Sequence, residues 1–586
     1  MASIIGQYRY KTANLSDGRI FVLKAIFLVA MVILIAKLSF LQIVQDDYYR
    51  SLSDKRQQVL RQLQPNRGKI FVKTRLEDGA YEYFPAVTNQ ELFLVYAEPN
   101  KVESPNKVID TIVPIFDLTP QEWQPLLQKI ADDKDPYEPL VKQATQEEIE
   151  LLQTKNLSGV GFIPQNYRYY PENSLGGHLF GFVRTIDDKA VGQYGLESYF
   201  NDELYGKEGV LVSPVDAQGS FVTAGEREKD PATNGADLYL TIDKRVQITI
   251  CQIIARAVET YDAVNGSVVV MDPRTGAIIG MCSAPDYNPD VFNQVESIDI
   301  YNNPVISSPY EPGSVFKAIT MAAGLDIGLV EPNSTYIDEG EVKIGPFTVR
   351  NADLKKHGQQ TMTQVLEQSL NTGAIYVADL VGKKDMQRYI ENFGFGKKTG
   401  IALSNELGGD ISSLDKRGDI YTLTASYGQG ITVTPLQLAA AFSAIANDGK
   451  LVKPYIVDEI HFGDGRIDKT AVQEISQVIS KLTSIKLRGM LTSVITNGLG
   501  RKAGVEGYYL AGKTGTAQIA APSGGYGVDT NHTFVGFGPT EDPQFTILVK
   551  LEKPTAVRYA SDSATNVFRE VAAFLVNHLQ IPPSNG

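Results

Sequence analysis

The sequence predicts an α+β protein anchored by one N-terminal transmembrane helix, and three observations carry that prediction. A strongly apolar run, Ile20 to Val44, follows a polar and basic stretch. From about residue 236 onward, strand-like segments lie at both ends of a region whose middle reads as helix. Between these two lies a region of short strands and capped helices. At 586 residues, two or three domains are expected. They divide as a tail at 1–19, an anchor at 20–44, a non-catalytic pedestal at 45–235 and a catalytic domain at 236–586. Strands from both sequence ends completing one antiparallel sheet beside a helical middle define a single α+β domain.

Composition excludes more than it assigns. The net charge of −13 argues against nucleic acid as a partner. The five histidines are scattered, and Cys251 and Cys282 have no metal-ligand spacing, so neither metal nor cofactor is expected. A disulfide between the two cysteines is open to a chain outside the cytoplasm, but two separate buried thiols are the favoured state.

The elements follow in order. From Ala25 to Val44 the single charge is Lys37, over about the 20 residues needed to cross a bilayer. Lys24 sits at the interface, and Lys37 must snorkel or face a partner helix. Arg9, Lys11 and Arg19 precede the run and Asp46-Asp47 follow it, which puts the N-terminus in the cytoplasm and the bulk of the chain outside. No small-residue cleavage site follows, so the anchor is expected to stay uncleaved. The polar run after it, 46–64, reads as helix. Strands are expected at Arg67–Lys73 and Leu92–Pro99. Thr119 to Glu122 and Thr145 to Glu148 are capping boxes, the first opening a helix through Ile130. No base and nucleophile pair up in this region, and His178 reads as packing or surface.

The catalytic region opens with a strand and a long amphipathic helix, 238–259. Two strands follow around a turn at Pro273 to Gly276. Helices are expected at Thr363–Val381, Thr434–Ala446 and Asn566–Leu579. A hairpin with its turn at Glu541-Asp542-Pro543 precedes the last helix.

The chemistry lies in Tyr310 to Gly328, YEPGSVFKAITMAAGLDIG. Pro312 and Gly313 break what precedes. Ser314 then falls in the first turn of a half-buried helix, with Lys317 one turn on along the same face. A serine hydroxyl needs a base beside it. A lysine serves when apolar neighbours such as Val315, Phe316 and Ile319 disfavour its charge. Alone, Ser-x-x-Lys is weak. Ser104 to Lys107 and Ser413 to Lys416 repeat it, but the first holds Pro105 and the second runs into a charged loop. Two further elements lift Ser314 above them. One is Ser369-Leu370-Asn371. The other is Lys513-Thr514-Gly515-Thr516, which follows Tyr508 to Ala511, read as a strand entering a turn. A second Lys-Thr-Gly, Lys398 to Gly400, lies in a glycine-rich turn without an apolar run before it.

In that order the three elements match the motif set of penicillin-binding proteins and serine β-lactamases. With Arg67-Gly68, Arg168 to Pro171, Gly195 to Phe200 and Leu240 to Asp243, the chain resembles the class B penicillin-binding proteins over nearly its whole length. It departs from them after Lys69-Ile70, where FVKTRLEDG stands in place of the usual turn. The resemblance implies a penicillin-binding, β-lactamase-like transpeptidase domain on an elongated, dimerisation-like pedestal. It implies a membrane-anchored peptidoglycan D,D-transpeptidase acting in division or elongation, and the compact pedestal leans towards division.

By the same resemblance Ser314 attacks the penultimate D-alanine carbonyl, Lys317 takes its proton and Ser369 bridges that proton to the leaving amine. Lys513 tunes the field. Asn371 holds the substrate backbone and Lys317. Thr514, Gly515 and Thr516 bind substrate, the two threonines at its terminal carboxylate, and the N–H groups of Ser314 and Thr516 form the oxyanion hole. Stem peptides and β-lactams are the implied ligands. A glycan polymerase of the SEDS family, with other division or elongation proteins, is the implied partner. Two alternatives remain open: a D,D-carboxypeptidase or β-lactamase-type hydrolase, and a catalytically silent scaffold or β-lactam sensor.

Overall fold

The computed structural model describes residues 17–39, 58–76, 78–171, 176–186, 189–214, 227–520 and 525–584. A helix, α1 (Asp17–Ser39), covers most of the apolar run, and its described apolar side chains, from Val22 to Ile35, are exposed. Among the described residues no helix is long and apolar enough to cross a membrane. Residues 40–44, the end of the expected span, lie outside them.

The chain forms two compact units, 1–65 with 207–233, and 66–206 with 234–586. The first holds a three-stranded antiparallel sheet of β1 (Gln58–Leu63), Gly209–Pro214 and Arg227–Asp230. The helix expected over 46–64 is therefore corrected at its end, where 58–63 is strand; residues 46–57 lie outside the described residues. The reason is tertiary. The partner of β1 comes from far along the chain, and such pairing overrides local preference.

The second unit contains a seven-stranded sheet. In it β2 (Ile70–Arg75) pairs antiparallel with β3 (Tyr81–Ala97), which also carries β4 (Glu138–Ala144) and β5 (Val160–Tyr169). On its other edge β2 runs parallel to β6 (Asp237–Asp243), with Leu238 opposite Ile70. The strand that opens the catalytic region by sequence thus belongs to a sheet begun in the pedestal. Both capping boxes are present. Thr119 starts a helix over Pro120–Ile130 and Thr145 one over Gln146–Gln153, each donating its N–H to the glutamate three residues on.

Three segments quoted above as pedestal signatures meet in one buried ion cluster. Arg67 Nε donates to Glu197 Oε2 at 2.7 Å and Arg168 Nε to Oε1 at 2.6 Å. The side chains are 6%, 5% and 0% exposed for Arg67, Arg168 and Glu197. Burial raises the Glu197 carboxyl, but the two guanidiniums outweigh it and leave the group below the usual carboxylate range.

The catalytic region is built on a five-stranded antiparallel sheet. Its strands are β7 (Asn265–Met271), β8 (Ile278–Ala284), β9 (Ala511–Ala520), β10 (Tyr526–Gly538) and β11 (Phe545–Glu552), in the order β8-β7-β11-β10-β9. N- and C-terminal pieces of the region complete one sheet, as expected. On one face lie α2 (Lys244–Thr260), capped by the Asp243 carboxylate, and the C-terminal helix Ala564–His578. On the other lies Pro435–Ala446, buried along its whole length.

Cys251 on α2 and Cys282 on β8 form a disulfide, with Cα atoms 5.4 Å apart. This corrects the expectation of two separate thiols. α2 packs directly on β8, so the two Cα atoms fall at bridging distance, a relation that their sequence separation of 31 does not reveal.

Replacing Glu197 with glutamine leaves two guanidiniums buried without a counter-charge. A loss of about 3–5 kcal/mol is expected in denaturant unfolding of the purified protein. An exposed pair such as Lys356–Glu339 should yield less than about 1 kcal/mol in the same measurement.

Candidate active site

Pro312 and Gly313 lead into a single 3-10 turn, Gly313–Phe316, which continues as α3 (Lys317–Asp326). Ser314 is half-buried in that turn. The helix was expected to be half-buried, yet every residue from Lys317 to Leu325 is buried. It runs through the protein interior, covered by the Asn371–Val381 and Lys481–Thr496 helices as well as the turn. Gly313 has φ of +60°, and its N–H donates to Gly428 O at 3.0 Å. Gly428 has φ of +81°, and a Cβ there would lie 2.2 Å from Gly313 O. Only glycine permits so close an approach of two backbones.

Lys317 is 1% exposed. Its Nζ donates to Ser369 O at 2.5 Å and Ser369 Oγ at 3.2 Å. Lys513 is fully buried, and its Nζ donates to the same Oγ at 2.9 Å and to Thr514 O at 3.1 Å. One hydroxyl therefore stands between two buried amines. Burial, with Lys513 beside it, pushes Lys317 well below the ordinary lysine range. Burial brings Lys513 down to about 7. A neutral Lys317 can accept a proton, which an ordinary surface lysine cannot do near neutral pH.

Ser369 occupies a break where one helix was expected over Thr363–Val381. The structure has α4 (Met362–Glu367) and α5 (Asn371–Val381) instead. Leu370 N donates to Val365 O at 3.0 Å and Ser369 has φ of +58°, which is the Schellman termination of a helix. Glycine is the usual residue at that position. A serine there costs roughly 1 kcal/mol or more in backbone strain and supplies a hydroxyl in return.

The Lys513 segment lies inside β9, not at a turn after a strand as expected; Tyr508 to Leu510 precede the strand. β9 is the edge of its sheet and passes against the serine turn, where a Cβ on Gly515 would lie 3.0 Å from Pro312 O. Thr514 Oγ1 takes a bond from Lys513 Nζ at 3.3 Å, and Thr516 Oγ1 accepts Ala560 N–H at 3.0 Å. The Asn371 amide nitrogen donates to Arg350 O at 2.8 Å.

The competing motifs stay apart from this site. Ser104 is the N-cap of a helix over Pro105–Phe116, accepting Lys107 N–H. Ser413 lies in a short turn beside exposed charges. Thr399 of the second Lys-Thr-Gly donates to Glu406. His178 is buried against Asp286 and Tyr287, as packing. Among the described residues no cluster of His, Cys, Asp and Glu is arranged to hold a metal ion.

Two supports of the site were not read from the sequence. The first is the loop Ser426 to Gly430, which accepts Thr320 Oγ1 at Ser426 O, holds Gly313 and donates Gly430 N–H to Glu311. Its paired glycines were the available signal. The second is Asp338 with Asn351, both buried, whose bonds reach the start of α5.

With this geometry in hand, comparison with known proteins is specific. Residues 266–573 match the penicillin-binding protein transpeptidase domain, and residues 62–240 the penicillin-binding protein dimerisation domain. Stage V sporulation protein D of Bacillus subtilis is 32% identical over 535 residues, 90% of this chain and 80% of the relative. A peptidoglycan D,D-transpeptidase FtsI homolog of Mesostigma viride is 29% identical, covering 76% of this chain and 78% of its own. Among solved structures, penicillin-binding protein 3 of Mycobacterium tuberculosis complexed with aztreonam is similar with a TM-score of 0.68 and 25% identity, covering 89% of this chain and 98% of the other. The chain belongs to the penicillin-binding protein transpeptidase family. The two domains together are those of its class B members.

The strain at Ser369 can be measured. Ser369→Ala and Ser369→Gly both lose the hydroxyl, but only alanine keeps the left-handed strain. The glycine variant should therefore be the more stable by about 1 kcal/mol in denaturant unfolding, with both slow to react at Ser314.

Proposed function

We propose that this chain is a peptidoglycan D,D-transpeptidase that cross-links stem peptides through an acyl-enzyme on Ser314. The observation that carries this reading is the Ser369 hydroxyl held between Lys317 and Lys513. Neutral Lys317 removes the Ser314 proton as Oγ attacks the carbonyl of the penultimate D-alanine. Among the described residues none forms a hydrogen bond with Ser314 Oγ, and a catalytic bond of that kind commonly tightens only with substrate bound. The N–H groups of Ser314 and Thr516 would stabilise the oxyanion. The proton passes by way of Ser369 to the departing amine, and D-alanine leaves. An amine from a neighbouring stem then attacks the ester and restores Ser314. Thr514, Gly515 and Thr516 line the strand along which the terminal carboxylate would lie, and Asn371 would orient the substrate backbone. A β-lactam, which mimics the acyl-D-Ala-D-Ala terminus, acylates the same serine.

The wider setting belongs to the same proposal. Residues 20–44 anchor the chain in the cytoplasmic membrane, N-terminus inside, with the pedestal (45–235) and the transpeptidase region (236–586) outside. The Cys251–Cys282 disulfide supports that side, because such bonds persist in oxidising compartments. A membrane glycan polymerase of the SEDS type would supply the strands to be joined.

Labelling with a fluorescent penicillin tests the nucleophile. Label should vanish in Ser314→Ala and persist in Ser413→Ala; label that survives Ser314→Ala would undo the assignment. A D-Ala-D-Ala donor and an amine acceptor then separate cross-linked product from hydrolysis. The pH dependence of acylation tests the base. Burial depresses Lys317 most and the Lys513 charge adds to it, so Lys513→Met should let the Lys317 pKa rise part of the way and move the acid limb of the acylation rate to higher pH. An unmoved limb would rule Lys317 out as the titrating base.

A further inference from the structure

The start of α5 has no cap of its own, because its N-cap residue, Leu370, carries no polar side chain. The cap comes from elsewhere in the chain. Asn351 Oδ1 accepts Asn371 N–H at 2.9 Å and Thr372 N–H at 3.3 Å. Asn351 is itself held by Asp338, the last residue of the strand Thr335–Asp338. Its Nδ2 donates to Asp338 Oδ2 at 2.9 Å and Oδ1 at 3.1 Å. Asp338 Oδ1 also takes the Thr372 hydroxyl at 2.7 Å, and Oδ2 the His357 N–H at 3.0 Å. Both residues are buried, and both are anchored on backbone. Gly340 N–H donates to Asp338 Oδ1 at 3.0 Å, and Asn351 N–H to Gly340 O at 3.2 Å. The preceding residue, Arg350, takes the Asn371 amide.

We propose that Asp338 and Asn351 are positioning residues for the acyl-transfer reaction: by fixing Asn371 and Thr372 they fix where α5 begins, and so hold Ser369 between the two lysines. This rests on the reading of Ser314, Lys317, Ser369 and Lys513 as one site. The link is short. Gln368, Ser369 and Leu370 alone connect the end of α4 to the first residue of α5, and Ser369 is already in a left-handed conformation. If the start of α5 shifts, the Ser369 carbonyl and hydroxyl shift with it, and each lies on the Lys317 amine. Neither Asp338 nor Asn351 bonds to any of the four site side chains. Their effect passes through the backbone of residues 371 and 372.

The test uses the full chain in detergent as wild type, Asn351→Ala, Asp338→Asn and the exchange D338N/N351D. Each is reacted with a fluorescent penicillin over a range of concentrations. The final labelled fraction reports how much protein is folded. The saturating rate reports geometry, and the half-saturating concentration reports binding. Each single variant should react about a hundredfold more slowly at saturation, the scale of a displacement near 1 Å. Half-saturation should stay within about threefold of wild type, since binding before reaction is not at issue. The exchange returns an acceptor at 351 for the two N–H groups but turns an amide NH2 at 338 towards the His357 N–H that Asp338 accepts, so it should react faster than Asn351→Ala and still more slowly than wild type. Single variants that lower only the labelled fraction, leaving the rate of the remaining molecules at the wild-type value, would overturn the proposal. Should the single variants not fold, Thr372→Val removes one hydroxyl from the cluster. Roughly tenfold slowing there supports the proposal, and a wild-type rate overturns it. Wild type that takes no label at Ser314 defeats the functional reading itself, whereas labelled wild type beside unaffected variants defeats only the positioning role.

Discussion

One hydroxyl shared by two buried amines is the constraint on which the site depends. Two lysines reaching one oxygen cannot both carry full charge out of water without a large penalty, so burial, with Lys513 beside it, disfavours the charged form of Lys317. That arrangement needs three backbones in fixed places: the serine turn, the break between α4 and α5, and the edge strand β9. Each is held by contacts that leave little play. Gly428 and Gly313 pass at a distance only glycine allows, Gly515 runs against Pro312, and Ser369 is locked in a conformation that most residues avoid. The chemistry is simple in its parts, and the protein's contribution is to hold those parts where their pKa values shift in the useful direction.

Two of the three ordered motifs were legible in the sequence because each joins a chemical residue to a local structural signal: proline and glycine before Ser314, an apolar run before Lys513; Ser369-Leu370-Asn371 was found by its place between them. The competing Ser104 and Ser413 failed on the same local signals, and the structure gives them the ordinary work of a helix cap and a turn. Less legible were features set by distant partners. The segment 363–381 has the apolar spacing of a continuous helix, and nothing local marks Ser369 as a left-handed stop where glycine is the usual choice. The strand 58–63 takes its conformation from residues 209–214. Cys251 and Cys282 are bridged because a helix lies on a strand, which spacing alone does not convey.

The pedestal follows the same rule on a larger scale. Arg67, Arg168 and Glu197 stand in three segments that look unrelated along the chain, yet each charge is buried only because the others are. Such a cluster contributes modestly to stability as a whole but punishes the loss of any one member. It ties the residues just before β2 to the end of β5 and to the short helix Gly195–Tyr199.

The parallel pairing of β2 with β6 makes the boundary near residue 236 a boundary in sequence only. A chain severed there would release two pieces, each presenting a row of unpaired N–H and C=O groups along a strand that is interior to the intact sheet. Open edges of that kind seek other strands, and the usual result is self-association. The region with Ser314 is thus continuous with its support through hydrogen bonds as well as covalent linkage, and its natural unit for isolation begins upstream of Arg67.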